Sequence, residues 1–431
     1  MGGVALPNGA LRSWKRRGGV LLESYRVLEL ASERGALAGR IFGDLGADVI
    51  LVEPPCGDSA RRHPPLSQAR DGTPISLFWL ALNVNKRGIT LAWDTPTGRE
   101  LLLRLVERVD FLIEGLSPGT LEKHNLGWEH FRRVNPRLIM ISITPFGQEG
   151  PYRDFLGSDL EVMALSGTMS LAGEEEGEPM RVSVPQAFFW AGVEAVMGGL
   201  TALAARSATG RGQHVDVSAQ VAAMAPLAMA PAHWDLNRVN PLRAGVFVTG
   251  RSITGAKMRA IWRCRDGWIN FIVYGGEAGR HTNKQLVAWM RERGMAPDWL
   301  CDIDWEHFEV TQLTQEEVDR IEAPIAEFFL TITKREFMEE AIRRQMLGYP
   351  VSTVADIMSD PQLEARGFWQ EIADPTTGRR LRYPGGFALI NGERLSIRRP
   401  APRLGEHNAE VFAEIGLGED DLQYLSTLGI V

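Results

Sequence analysis

The chain has 431 residues, 44% hydrophobic and 23% charged, with a net charge of −7, which is the make-up of a globular protein long enough for two domains and a large core. The acidic balance argues against a nucleic-acid binder, and Cys56, Cys264 and Cys301 are too scattered for a disulfide framework or a zinc site. A reducing cytoplasm is the expected compartment. Residues 1–20 hold Lys15, Arg16 and Arg17 without an apolar stretch of signal-peptide length, and read as a flexible extension.

Residues 25–30 alternate and are β-rich, 34–46 have helical spacing and end at Gly46, and 48–53 form a continuous apolar strand, which together make a βαβ unit. The second strand closes on Glu53, where a dinucleotide-binding fold holds a ribose. The G-x-G-x-x-G turn is missing, so a nicotinamide cofactor is not expected. After a turn-rich loop with Arg61 and Arg62, periodicity predicts a strand at 88–93, a helix at 96–108, a strand at 109–114, helices within 118–134 and a strand at 137–143. Strands alternating with helices imply an α/β fold with a mostly parallel sheet covered on both faces.

Residues 179–217 read as a loop, a helix start at Pro185, an apolar helix over 188–206, a glycine turn and a strand. A helix apolar all round, with Gly192, Gly198 and Gly199 where side chains would hold neighbours off, belongs in a core. Glu194, and Pro226 and Pro231 in the next apolar run, argue against a membrane span. The N-terminal end of such a helix offers unsatisfied N–H groups and the positive end of a dipole, a good place for a carboxylate nucleophile. Phe188 stands there. Strands at 258–264 and 268–274 and helices at 280–294 and 315–345 suggest a second, small α+β domain, followed by a tail of turns and short helices. His63, His124, His130 and His214 lack metal-ligand spacing, and Asp302 with Asp304 reads as a surface turn, so no metal is expected.

The stretches LGADVILVEPPCGD with Arg61, NVNKRGITL, TPTGRELLLRL, VDFLIEGLSPGTLEKHNLGW, NPRLIMISITPFGQEGPY, GSDLEVMALSGTMSLAG, ATGRGQHVDVS, DPQLEARGFW and PRLGEHN run in this order along nearly the whole chain. Together they resemble the class III CoA-transferases, the family of formyl-CoA transferase, carnitine CoA-transferase and α-methylacyl-CoA racemase. The resemblance implies a large Rossmann-like domain built from both ends of the chain, here 21–235 and 346–431, a small domain at 236–345, and two chains interlocked as a dimer. It also implies coenzyme A thioester chemistry. An Asp carboxylate attacks the acyl-CoA to form an anhydride; the released CoA thiolate re-attacks to give an aspartyl-CoA thioester, which passes CoA to the acceptor acid.

The family's nucleophile lies in a D-x-x-x-G pattern twenty-one residues before the threonine of TGRGQ; Gly192 and Thr209 both point to Phe188. Glu194 is six residues on, about 9 Å of rise and roughly 240° around the helix, and Glu174–Glu176 and Glu178 precede the site on a loop. The racemase His is replaced by Ser158, before Asp159, so proton-transfer chemistry of that branch is not expected. Arg61, Lys86, Arg87 and Lys123 remain as candidate contacts to CoA, while Leu51 and Asp94 replace basic residues common in the family.

The leading expectation is a non-catalytic subunit whose homologous partner carries the Asp. One branch of the family, the succinyl-CoA:benzylsuccinate CoA-transferases of anaerobic toluene degradation, divides its subunits so. The alternatives are an active homodimer using another carboxylate, with Asp159 or a loop Glu as the substitute, and an acyl-CoA binding protein without turnover. The implied ligands are acyl-CoA and a small carboxylic acid, with neither nucleic acid nor membrane as a partner.

Overall fold

The computed structural model describes residues 21–431, so the N-terminal extension read from residues 1–20 lies outside the described residues. The chain divides into two compact units: residues up to Thr168 with Val182–Ala228 and Gln362–Val431, and Met169–Arg181 with Met229–Pro361. The breaks fall at Met229 and Pro361, where the sequence suggested 236 and 345.

The first unit is built on six parallel strands, β1 (Arg26–Leu30), β2 (Asp48–Glu53), β3 (Lys86–Thr90), β4 (Phe111–Glu114), β5 (Ile139–Thr144) and β6 (His214–Ser218), in the order β3-β2-β1-β4-β5-β6. This is the doubly wound order, with its switch point between β1 and β4. β3, β4 and β5 are buried along their whole length, as a sheet covered on both faces requires. On one face lie α1 (Ala36–Asp44) and the 23-residue α6 (Ala187–Thr209). The other face carries α2 (Pro96–Val106) and α4 (Trp128–Val134) with α10 (Asn408–Ala413) from the tail, through Leu102, Leu105, Phe131, Val411 and Phe412.

Glycine decides how deep α6 sits. A Cβ on Gly192 would lie 3.1 Å from Leu37 Cβ and 3.4 Å from the backbone nitrogen of Ala38 in α1, and one on Gly199 would lie 2.7 Å from Ile141 Cδ1 in β5. The helix is long and apolar enough to cross a membrane, but these contacts seat it in a core.

The second unit has a three-stranded antiparallel sheet of β7 (Ile261–Cys264), β8 (Gly267–Asn270) and β9 (Tyr349–Pro350) with α7 (Gly276–Glu292), α8 (Gln315–Thr331) and α9 (Lys334–Arg344). The helix expected over 315–345 is thus two, separated at Thr333, which caps α9 through a reciprocal pair with Glu336. Trp262, Trp289, Phe328 and Phe329 fill its core. Arg243 donates to the carbonyls of Glu174, Glu175 and Gly177 at 3.1, 3.3 and 2.7 Å, and Lys257 pairs with Glu175. The acidic loop is therefore bound to this unit.

The tail has the expected short helices, among them α10, and an element that was not expected. It contains a six-pair antiparallel hairpin, β10 (Trp369–Asp374) with β11 (Arg379–Pro384). Asp374 closes the turn through the backbone N–H of Thr377 at 2.8 Å, and Gly378 takes φ +67°.

Under α1, Lys86 is fully buried and donates to Glu29 at 2.8 Å, to Asn83 Oδ1 at 2.9 Å and to the carbonyl of Ala36 at 2.9 Å. Three acceptors match the three donors of an ammonium. Burial alone lowers the pKa of Lys86 and raises that of Glu29, so each group keeps its charge only through the other. Lys86→Met should therefore lower the unfolding free energy in urea by about 3 kcal/mol; a loss under ~0.5 kcal/mol would show the pair to be dispensable.

Candidate functional site

In open α/β sheets ligands bind beyond the C-terminal strand ends at the switch point. Here β1 leads into Ser32–Gly35, and β4 ends on Glu114 followed by Gly115. A Cβ on Gly115 would lie 2.9 Å from Arg34 Cβ, so only glycine lets the two loops meet. Arg34 Nη1 donates to the carbonyl of Gly115 at 3.0 Å, and the guanidinium carbon lies 5.5 Å from the ring centre of Phe188. Phe188 is in the first turn of α6 and only 6% exposed. The helix thus brings Phe188 to the strand ends at the switch point, an aromatic ring facing a cation.

Asp159 reaches the same helix end. Its Oδ1 accepts the backbone N–H of Gln186 at 2.6 Å and of Ala187 at 2.7 Å. Asp159 does not cap its own helix, α5 (Asp159–Leu165); Ser158 does that, in a reciprocal pair with Glu161. Asp159 instead supplies the cap that Gln186 does not. A carboxylate there is favoured by the α6 dipole.

Glu114, 3% exposed, accepts the N–H of Leu116 at 2.7 Å. Ser142 Oγ lies 2.9 Å from His214 Nε2. Burial pushes Glu114 up to about 7 and moves His214 downward. Sequence reasoning passed over Arg34 and Glu114. The available signal was an ionisable residue at each C-terminal strand end flanking the switch point.

Three of the four cations put forward for coenzyme A have other work. Lys86 and Arg87 open β3 at its N-terminal end, opposite the crevice edge of the sheet. Lys86 is buried on Glu29, and Arg87 is 4% exposed between Asp48, Glu410 and Glu414. Arg61 makes a bidentate pair with buried Glu53 at 2.6 and 2.7 Å, stacks on Trp79 at 3.9 Å and donates to the carbonyl of Pro402 at 3.1 Å. Glu53 therefore holds an arginine rather than a ribose. Lys123 is exposed on the short helix α3 (Thr120–Lys123). No metal-ligand cluster occurs among the described residues.

A groove of about 670 Å³ runs between α1 and α6, lined by Leu37, Ile41, Val193, Met197, Leu200 and Phe387. Met197 and Phe387 are each 62% exposed, and Trp190, nearby on α6, is 45% exposed. Single apolar residues on a surface are ordinary; a contiguous patch of this kind marks a place of contact.

With this geometry in hand, comparison decides the family: CoA-transferase family III matches residues 22–408. The chain belongs to that family. It is 34% identical over 408 residues to the succinyl-CoA:(R)-benzylsuccinate CoA-transferase subunit BbsE of Thauera aromatica, covering 94% of this chain and 97% of the relative. It is 31% identical to a succinate–glutarate CoA-transferase of Agrobacterium fabrum, covering 91% and 95%. Among solved structures, a CAIB/BAIF family protein from Brucella suis superposes with a TM-score of 0.77 at 28% identity, covering 92% of this chain and 100% of that one.

Glu114 gives the site a pH signature. Its pKa is raised in the folded chain from 4.5 to about 7, so between those values the folded state binds the extra proton and stability falls as pH rises, with the full penalty above about 7. The penalty is at most about 3 kcal/mol. Glu114→Gln should remove it, making the variant's stability relative to the parent rise between about pH 5 and 8 in urea denaturation. A pH-independent difference would contradict this assignment.

Proposed function

We propose that this chain is the non-catalytic subunit of a cytoplasmic, hetero-oligomeric acyl-CoA:carboxylate CoA-transferase, in which a homologous subunit supplies the nucleophilic Asp. The observation that carries the reading is the α6 N-terminus. The position that motif spacing assigns to the nucleophile is Phe188, which has neither charge nor nucleophilic atom, beside Arg34. Supporting it, Arg61, Lys86 and Arg87 are committed to internal carboxylates, which weakens phosphate binding by this chain. The relative from Thauera aromatica is itself a subunit, acting on succinyl-CoA and (R)-benzylsuccinate; the same substrate class is proposed here. An interlocked partner would cover the exposed face of α6 and its groove.

A second reading, turnover by Asp159, has in its favour that this carboxylate lies at the α6 N-terminus. Against it, Oδ1 is held by two N–H donors, so attack by this oxygen would uncap the helix.

Co-expression with a homologue carrying Asp at the equivalent of Phe188 should yield a mixed oligomer that moves CoA from succinyl-CoA to benzylsuccinate. Replacing the partner's Asp should reduce turnover at least about a thousandfold, as loss of a nucleophile does. A normal enzymic rate from this chain alone refutes the proposal.

A further inference from the structure

The groove between α1 and α6 lies where the chain enters the first unit. The backbone N–H of Leu22 donates to the carbonyl of Leu45 at 2.9 Å, and Leu45 is part of the groove wall. The rest of that wall is apolar, from Leu37 and Ile41 on one side, Val193 and Met197 on the other, and Phe387 from the tail. Its two charged residues, Arg40 and Asp44, pair with each other at 3.3 Å, so the lining presents no net charge and suits an apolar occupant. Glu194 stands beside this row on α6, next to Val193, and has no hydrogen bond or ion pair among the described residues.

We propose that, in the chain on its own, residues 4–14 cover this groove, with Leu11 and Trp14 seated against Met197 and Phe387. Three properties of the segment favour it over any other occupant. Its composition fits: residues 1–20 hold Val4, Leu6, Leu11 and Trp14 with four cations and no acid, and Arg12 and Lys15 adjoin Leu11 and Trp14, which brings a cation to Glu194. Its tether is long enough. Trp14 precedes Leu22 by eight residues, a reach of up to about 26 Å, whereas Leu37 to Leu45 covers about 12 Å of helix. The tether also keeps the segment at an effective concentration of about millimolar at the groove, above that of a free partner in dilute solution. The mixed oligomer proposed above would put its partner over the same face, so this inference concerns the chain alone and stands or falls separately from that reading.

The test is photo-crosslinking of the full chain in dilute solution, with p-benzoylphenylalanine in place of Trp14. Isotope-labelled and unlabelled protein are mixed in equal amounts, and adducts are mapped by mass spectrometry. Adducts should fall on Met197, Phe387 and Val193, each joining two peptides that carry the same label. Met197→Asp and Phe387→Asp, both at exposed positions, should each cut the yield about tenfold, because a carboxylate set against apolar side chains loses its water. Leu11→Asp should lower it likewise without altering the groove wall. The inference is overturned if no adduct falls in the groove, if groove adducts join peptides of unlike label, which would make a second copy the occupant, or if these substitutions leave the yield unchanged.

Discussion

The site depends on the seating of one helix. α6 lies so close to α1 and β5 that Gly192 and Gly199 have no room for a methyl group without displacing neighbours, and interiors at native density rarely yield that much. Its N-terminus is therefore held at the switch point of the sheet. A dipole end and unsatisfied N–H groups at that place are consequences of the backbone, independent of the side chain that arrives there. The fold of a CoA-transferase is maintained here, and the side chain that reaches this helix end, Phe188, has neither charge nor nucleophilic atom.

Around that fixed end the electrostatics are rearranged. Asp159 satisfies two N–H groups of α6 from another segment, Phe188 is buried, and Arg34 stands over its ring. Elsewhere in the same unit the cations are spent on cohesion. Lys86 holds Glu29 beneath α1, Arg61 holds Glu53, and Arg87 ties the start of β2 to α10 and its C-cap through Asp48, Glu410 and Glu414. These pairs join residues from both ends of the chain into one unit, an architectural role with no need of a ligand.

The sheet was readable because its strands are apolar runs bounded by turns, and the helix at 188–206 because its pattern is long and unbroken. Strand β3 starts two residues earlier than periodicity suggests, at Lys86, because a charged residue reads as exposed when its buried partner, Glu29, is 57 positions away. The hairpin in the tail escaped because the turn between Asp374 and Gly378 was taken as loop, and the strands beside it carry many exposed polar residues. At the site, the spacing to Gly192 and Thr209 pointed to Phe188, which lies in the first turn of α6. Arg34, Glu114 and the true role of Asp159 were not found, because each acts on a residue brought near only by folding.

The central claim is that no carboxylate of this chain carries the acyl or CoA group. The most direct measurement is to incubate the mixed oligomer with succinyl-CoA, trap covalent intermediates with borohydride or hydroxylamine, and map both subunits by mass spectrometry. The account predicts modification at the partner's Asp and none at any Asp or Glu of this chain. A trapped adduct on Asp159, or on any other carboxylate here, would contradict it.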